Sequence, residues 1–428
     1  MEIIPIHHPV SATVRVPGSK SLTNRALLIS ALANGRTRLT NALFSDDSFY
    51  FAKALQTLGF DIELDEPNLE MMVTGLGGTI PARNAELFVG NAGTAARFLS
   101  AFLTLGSGEY VLDGEPRMRE RPIGDLADAL TQLGAKLETL NGCPPVRITA
   151  SGLSGGRAKI AGNISSQFLS ALLMVGPYAK QAIEVNLSTE LNSKPYVDMT
   201  LSVMKDFGVE VKRNAYQHFS IPLAAYHLPG TNLQSPISTY PIESDASAAS
   251  YFFAAPAICG GTIRVENISR QSKQGDIGFL DVLAQMGCMI TECERYIEVS
   301  GSQSLIGVDV NMRDVPDTAQ TLAAIAPFAS SPTWIRGIAS ARLKETDRVR
   351  ATCTELVRLG VRVEEHADGM TIYPCEKFNP ATIQTYNDHR MAMAFSLIGL
   401  RVPGVTIENP SSVSKTFPNF FNVLETLR

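Results

Sequence analysis

What most constrains this chain is a repeat of about 72 residues. An apolar-periodic segment ends in a large apolar residue and glycine, and an alternating stretch follows. The pattern reads Leu58-Gly59-Phe60-Asp61-Ile62, Leu133-Gly134-Ala135-Lys136-Leu137 and Phe207-Gly208-Val209-Glu210-Val211. It returns as Met286-Gly287-Cys288-Met289-Ile290 and Leu359-Gly360-Val361-Arg362-Val363. The glycines lie 75, 74, 79 and 73 positions apart. Each stands where a helix should end in the left-handed conformation, and the residues after it alternate as a half-buried strand does. A second helix precedes each of these. Its expected starts are Ser19, Asn91, Ser165, Asp245, Asp317 and Asp388, spaced 72, 74, 80, 72 and 71 apart. Each offers a side-chain oxygen suited to N-capping. The chain therefore reads as six α/β units, each with two helices and about four strands.

The sixth unit is cut short, because its second helix near Phe417–Leu427 meets the end of the sequence. The N-terminal stretches Ile3–Ile6 and Ala12–Val16 read as strands and could complete it. The repeat would then close on itself. Three units would form one domain over residues 19–235, and three would form a discontinuous domain of 1–18 plus 236–428. The turn-rich run Leu228–Pro236 is the expected crossing and hinge. The 428 residues suit such a division, at roughly 100–200 residues per domain.

Composition narrows the partners. Lys+Arg is 37 against 42 Asp+Glu, a net charge of −5, which argues against nucleic acid or an anionic membrane surface as the partner. A small anionic ligand needs only local positive charge. Apolar runs such as Met391–Leu400 fall short of the ~20 residues that span a bilayer. The start Met-Glu-Ile-Ile-Pro-Ile lacks the basic and apolar regions of a secretory signal. Six cysteines with no C-x-x-C pair read as reduced thiols of a cytoplasmic protein, with no zinc spacing.

The helix starts carry polar residues that a core does not need. Pro17-Gly18-Ser19-Lys20-Ser21-Leu22-Thr23-Asn24-Arg25 is a glycine turn into a helix N-terminus, a natural anion site, with Ser21 and Arg25 on one face. An ordinary cap with a solvated Lys and Arg would look the same. Gly90-Asn91-Ala92-Gly93-Thr94-Ala95-Ala96-Arg97 lets a ligand approach the backbone, or is simply a tight turn. Arg117, Arg119 and Arg121 precede a helix, and arginine suits bidentate binding of phosphate or carboxylate. Ser165-Ser166-Gln167 offers hydroxyls and an amide, and Ser193-Lys194-Pro195-Tyr196 opens the next helix. Arg342-Leu343-Lys344-Glu345-Thr346-Asp347-Arg348 contains the best acid/base candidate, Glu345, although a surface ion cluster is the alternative. Asn387-Asp388-His389-Arg390 and Lys415 complete the set, His389 being open to a purely structural role. Lys20, Arg25, Arg97, Arg121, Lys344, Arg348, Arg390 and Lys415 all lie close to expected helix starts, so a site where several cations meet several negative charges is expected, clamped by two domains.

These motifs resemble the 5-enolpyruvylshikimate-3-phosphate (EPSP) synthase family along essentially the whole chain. The resemblance rests on Val16–Ser21, Gly90-Asn-Ala-Gly-Thr-Ala, Arg121-Pro-Ile-Gly, Ser165-Ser-Gln, Ser193-Lys-Pro-Tyr, Lys344-Glu-Thr-Asp-Arg348 and Asn387-Asp-His-Arg390. It implies an enolpyruvyl transferase-like fold: two inside-out α/β barrel domains, each of three βαβαββ units. It implies transfer of the enolpyruvyl group of phosphoenolpyruvate to shikimate 3-phosphate by a monomer, with no metal or organic cofactor. By resemblance, Lys20, Asn91, Gly93, Thr94, Arg121, Gln167, Arg348, His389, Arg390 and Lys415 would hold phosphoenolpyruvate. Lys20, Ser21, Arg25, Ser165, Ser166, Gln167, Ser193, Tyr196, Asp317 and Lys344 would hold shikimate 3-phosphate. Glu345 would shuttle the proton at C3, and Asp317 or Lys20 would take the hydroxyl proton.

Two departures stand out. Ala96 and Phe98 replace the Met and Pro common in the family, which puts the helix after Gly93 in question. Ser340 stands where many members have Asn. The nearest rival is UDP-N-acetylglucosamine enolpyruvyl transferase, which usually carries a reactive Cys before its Arg-Pro motif. Here Ser107–Arg121 has none, and the closest is Cys143.

Overall fold

The computed structural model describes residues 1–227 and 237–428, so the run Leu228–Pro236, expected as the crossing, lies outside the described residues. The chain divides into two compact units, Gly18–Ile242 and Met1–Pro17 with Glu243–Arg428. Gly18–Ile242 holds three four-stranded sheets. One runs Asn84–Phe88, Ser107–Asp113, Cys143–Ser151, Lys136–Leu140. Its first two strands are parallel, joined through helix Gly93–Leu103, and the others are antiparallel. Strand, helix, parallel strand, helix, antiparallel pair is the βαβαββ unit. The sheet of Gly156–Ile160, Ile183–Leu187, His218–Ile221 and Lys212–Asn214 repeats it.

The remaining sheet shows where the sequence reading misplaced a boundary. Its first strand is Ile237–Pro241, parallel to Asn34–Thr40. The first repeat thus takes its opening strand from beyond the third repeat. Ile237–Pro241 belongs with Gly18–Ile242, and the boundary falls at Ile242/Glu243 rather than at 235/236. The unit is closed by its own far end, which a linear repeat count does not reveal.

The second unit repeats the device. Val10–Val14 is the parallel first strand beside Gly261–Glu266, followed by Tyr296–Ser300 and Met289–Glu292. The next sheet is Asp309–Asn311, Thr333–Arg336, Gly369–Ile372 and Val363–His366. The sixth pairs only Ala381–Ile383 with Val405–Ile407. The N-terminus lies against the latter through an antiparallel bridge of Glu2 with Thr406. Ile3 N donates to Val405 O at 2.9 Å and Ile407 N to Met1 O at 2.7 Å. Ile3–Ile6, expected as a strand, goes no further as a ladder. Pro5 has no N–H to give, and Ile6 N turns to Leu400 O instead.

The helices sit inside. Lys20–Leu32, Gly93–Leu103 and Ser166–Val175 are buried almost all round, as are Ala246–Cys259, Ala319–Ile325 and His389–Gly399 in the other unit. A helix apolar on every side must be covered on every side, and the sheets do the covering. The five repeat glycines, Gly59, Gly134, Gly208, Gly287 and Gly360, have φ between 82° and 102°. A side chain there would be strained, so these positions end the second helices and turn the chain into the next strand.

Candidate active site

Four of the six expected caps form. Ser19 Oγ accepts from Leu22 N, Ser165 Oγ from Gln167 N, Asp245 Oδ1 from Ala248 N and Asp388 Oδ1 from Arg390 N. The two that do not are Asn91 and Asp317. The residues capping those helices are Ala92 and Thr318. The oxygens of Asn91 and Asp317 are committed to arginines instead, as described next, and the cap expectation is corrected at both.

In Gly18–Ile242, Arg121 Nη1 donates to Asn91 O at 2.9 Å and to Asn91 Oδ1 at 3.0 Å. Arg97 Nη1 donates to Gly93 O at 3.1 Å and Nη2 to Pro122 O at 2.8 Å. A Cβ on Gly93 would strike the Arg121 guanidinium and lie 2.5 Å from Arg97 Nη1. Glycine is therefore what lets both arginines lie over this helix start. Gln167 Nε2 donates to Thr94 Oγ1 at 3.3 Å, linking two helix N-termini. Lys20 stands 3.6 Å from Asp47. Ser193, with φ 55°, opens helix Lys194–Asp206, and Ser166 is buried at the head of its helix.

Arg25 is buried, and among the described residues its hydrogen-bond partners are hydroxyls and backbone carbonyls rather than a carboxylate. Its Nε donates to Thr200 Oγ1 at 2.7 Å, Nη1 to Ser21 O at 2.9 Å and Nη2 to Tyr196 O at 3.1 Å. Burial pushes the guanidinium down to about 10, so it keeps its charge at neutral pH. The Phe98 ring lies 5.3 Å beneath it. The helix Gly93–Leu103 is unbroken, so Phe98 in place of the usual proline leaves it intact. An aromatic face is worth about 2 kcal/mol to a desolvated cation. Sequence reasoning missed Thr200, Ser170 and Phe98 as the surroundings of Arg25, since nothing in their local spacing joins them to it.

In the other unit, three cations and three carboxylates form one cluster. Arg348 Nε donates to Asp388 Oδ2 at 2.7 Å, Nη2 to Glu345 Oε2 at 2.7 Å and Nη1 to Asp317 Oδ1 at 3.1 Å. A second Nη2 contact reaches Asp388 Oδ1 at 3.3 Å. Arg390 Nη2 donates to Asp317 Oδ2 at 2.9 Å, and Lys344 Nζ to Asp317 Oδ1. Glu345, Arg348 and Arg390 are 7%, 3% and 4% exposed, which discards the surface-cluster alternative. Burial alone would lower the Arg348 guanidinium. Asp388, Glu345 and Asp317 together raise it above its ordinary value, so it stays charged. Burial lowers the Lys344 ammonium, with Asp317 acting against the shift. Burial pushes the Tyr251 hydroxyl, which feels Arg390, up to about 12. His389 is fully buried at the first turn of its helix, its Nδ1 3.5 Å from Asp388. Lys415 ends the turn Pro410–Lys415, 8% exposed. Ser340 is half-buried in the turn Ala339–Leu343. The sequence showed Asp388 only as a cap; its part in holding Arg348 needed the fold.

Cys143 does not offer a reactive thiolate. Burial raises its thiol more than Arg97 lowers it. Among the described residues, no group of three or more His, Cys, Asp or Glu side chains could hold a metal ion. No helix among them is long and apolar enough to cross a membrane.

This architecture is shared by solved enolpyruvyl transferases. One from Streptomyces tendae superposes with a TM-score of 0.78 at 17% identity, covering 99% of this chain and 96% of its own, a likeness of fold alone. EPSP synthase from Acinetobacter baumannii matches with a TM-score of 0.81 and 27% identity, over 100% of this chain and 97% of its own. The EPSP synthase (3-phosphoshikimate 1-carboxyvinyltransferase) family model matches residues 4–424. Curated proteins of that name are similar throughout. The one from Trichormus variabilis is 52% identical over 418 residues, 97% of this chain and 96% of its own. The one from a Sulfurovum species is 49% identical over 421 residues, 98% and 97%. The chain belongs to the EPSP synthase family.

Proposed function

We propose that this chain transfers the enolpyruvyl group of phosphoenolpyruvate to the 5-hydroxyl of shikimate 3-phosphate and releases phosphate, the reaction named for its relatives. The observation that carries the mechanism is the buried Glu345 carboxylate, held 2.7 Å from Arg348 among three cations. In the first step the 5-hydroxyl oxygen bonds to C2 while C3 takes a proton, giving a tetrahedral intermediate with a methyl group. In the second, C3 returns a proton, the C2–C3 double bond re-forms and the C2–phosphate oxygen bond breaks. One carboxyl group able to give and take the C3 proton serves both steps, and Glu345 fills that part. Asp317 or Lys20 receives the hydroxyl proton.

Phosphoenolpyruvate brings a carboxylate and a phosphate, and neutralising both is electrostatic work for preorganised cations. We assign this role to Lys20, Arg121, Arg348, Arg390 and Lys415, and assign Asn91, Gly93, Thr94, Gln167 and His389 to the same ligand. Arg348 has four donor contacts committed to carboxylates, so it serves phosphoenolpyruvate mainly by fixing Glu345 and Asp317. Lys20, Ser21, Arg25, Ser165, Ser166, Gln167, Ser193, Tyr196, Asp317 and Lys344 are assigned to shikimate 3-phosphate. Its negative charge compensates Arg25, which among the described residues has no carboxylate partner. Shikimate 3-phosphate alone should therefore raise Tm, by about 2.7 kcal/mol of added stability at a hundredfold excess over Kd. Arg25→Met should lose most of that gain in a thermal-shift titration; an undiminished gain would remove Arg25 from the binding set.

Phosphate release measured with shikimate 3-phosphate, and separately with UDP-N-acetylglucosamine, tests the function. Release is expected with the first only; release with the second only would replace this reading by its rival. Gly93 also bears on inhibition. Glyphosate should compete with phosphoenolpyruvate, and Gly93→Ala should be inhibited less, because the added methyl displaces the Arg121 and Arg97 guanidinium groups. Equal inhibition constants for both proteins would refute the steric account.

A further inference from the structure

The segment leading to Asp388 and Arg390 has an uncommon backbone. Tyr386 and Asn387 both have φ 53°, in the left-handed region. Asparagine visits that region readily and tyrosine does not, so the conformation must be held from outside. The holder is Glu355, on the helix Arg348–Arg358 that opens with Arg348. Its side chain is fully buried. Glu355 Oε1 accepts from the Tyr386 hydroxyl at 2.8 Å, and Oε2 accepts from Gln384 N at 3.1 Å. Arg358 Nε stands 3.1 Å from Oε2 and balances the charge. Farther along, Asn387 Oδ1 accepts from Asn409 Nδ2 at 2.9 Å, and Thr385 O from Asp388 N at 2.8 Å.

One helix thus grips one loop at two places. Arg348 holds Asp388 at the helix start, and Glu355, about two turns along, holds Gln384 and Tyr386. A buried carboxylate is a costly way to pin a loop if only packing is needed. What it supplies is two directed acceptors, which fix the loop's path and hence where Asp388 and Arg390 begin their helix. We infer that Glu355 and Tyr386 are positioning residues for the Arg348–Asp388–Arg390 array, setting its affinity for phosphoenolpyruvate without touching substrate. The inference rests on the proposed role of Arg390 toward phosphoenolpyruvate. Burial, with Glu355 adding to it, pushes the Tyr386 hydroxyl up to about 12, so it remains a donor throughout the working pH range.

The test uses the full chain carrying Tyr386→Phe, Glu355→Gln or Arg390→Lys, with steady-state kinetics in both substrates and thermal melts. Tyr386→Phe should raise KM for phosphoenolpyruvate about three- to tenfold, the worth of one hydrogen bond, with kcat and KM for shikimate 3-phosphate within about twofold. Glu355→Gln should act in the same direction and at least as strongly; should it fail to fold, Tyr386→Phe decides. A lowered Tm with unchanged KM for phosphoenolpyruvate would make the clamp merely structural and overturn the inference, as would equal rises in both KM values. Arg390→Lys separates the two readings. If it raises KM for phosphoenolpyruvate and Tyr386→Phe does not, the clamp alone falls. If Arg390→Lys leaves that KM unchanged, the site reading falls and takes the clamp with it.

Discussion

Glu345→Gln should bind both substrates and turn over on the order of 10²–10⁴-fold more slowly, the usual loss when a positioned acid–base group is removed. Glutamine keeps the shape and an oxygen for Arg348 Nη2, which now lies 2.7 Å from Oε2. It cannot carry a proton to C3. The variant also leaves three cations facing two carboxylates, Asp317 and Asp388, so an anionic substrate should bind no worse. Two measurements make the claim sharp. Binding of shikimate 3-phosphate and phosphoenolpyruvate by calorimetry should stay within a few-fold of the parent. Incorporation of solvent deuterium at C3 should fall in step with kcat. If Glu345 is only a partner for Arg348, the outcome inverts: Tm falls while turnover stays near that of the parent.

The sequence showed the site in pieces because each piece is local. A glycine after an apolar helix, an oxygen before one and a basic residue within its first turn are all legible within ten residues. All five repeat glycines have the expected left-handed φ for that reason. Two kinds of fact were not legible. One is closure: Ile237–Pro241 reads as the start of a new domain, and only its pairing with Asn34–Thr40 shows it finishing the previous one. The other is which partner a polar group chooses. Asp317 and Asn91 look like caps, as Ser19 and Asp388 do. What diverts them is an arginine supplied by a distant segment: Arg348 and Arg390 for Asp317, Arg121 for Asn91. An arginine's charge outbids a backbone N–H for the same oxygen. Asp388 does both, capping through Oδ1 while Oδ2 takes Arg348 Nε. Phe98 was visible as a departure but not as a support, because Arg25 is 73 positions away.

The largest stability effect is expected at Arg348. Its guanidinium is 3% exposed and touches Asp388, Glu345 and Asp317 together. Arg348→Met keeps the volume and the apolar stem but leaves buried carboxylates without their shared cation. Breaking a buried pair from one side typically costs about 3–5 kcal/mol, because the stranded charge remains. At roughly 2–4 °C per kcal/mol for a unit of this size, the melting of Met1–Pro17 with Glu243–Arg428 should drop by roughly 6–20 °C. Arg348→Lys separates charge from geometry. It restores one positive charge but has no planar fork, so it cannot serve three carboxylates at once. It should regain part of the stability and little of the turnover, since Glu345 would lose its fixed orientation. Adding Asp388→Asn to Arg348→Met removes one stranded charge and should recover part of the lost Tm, a coupling the double-mutant cycle measures directly. A cycle that sums to zero would mean the two side chains act independently, and the cluster could not then work as one preorganised array.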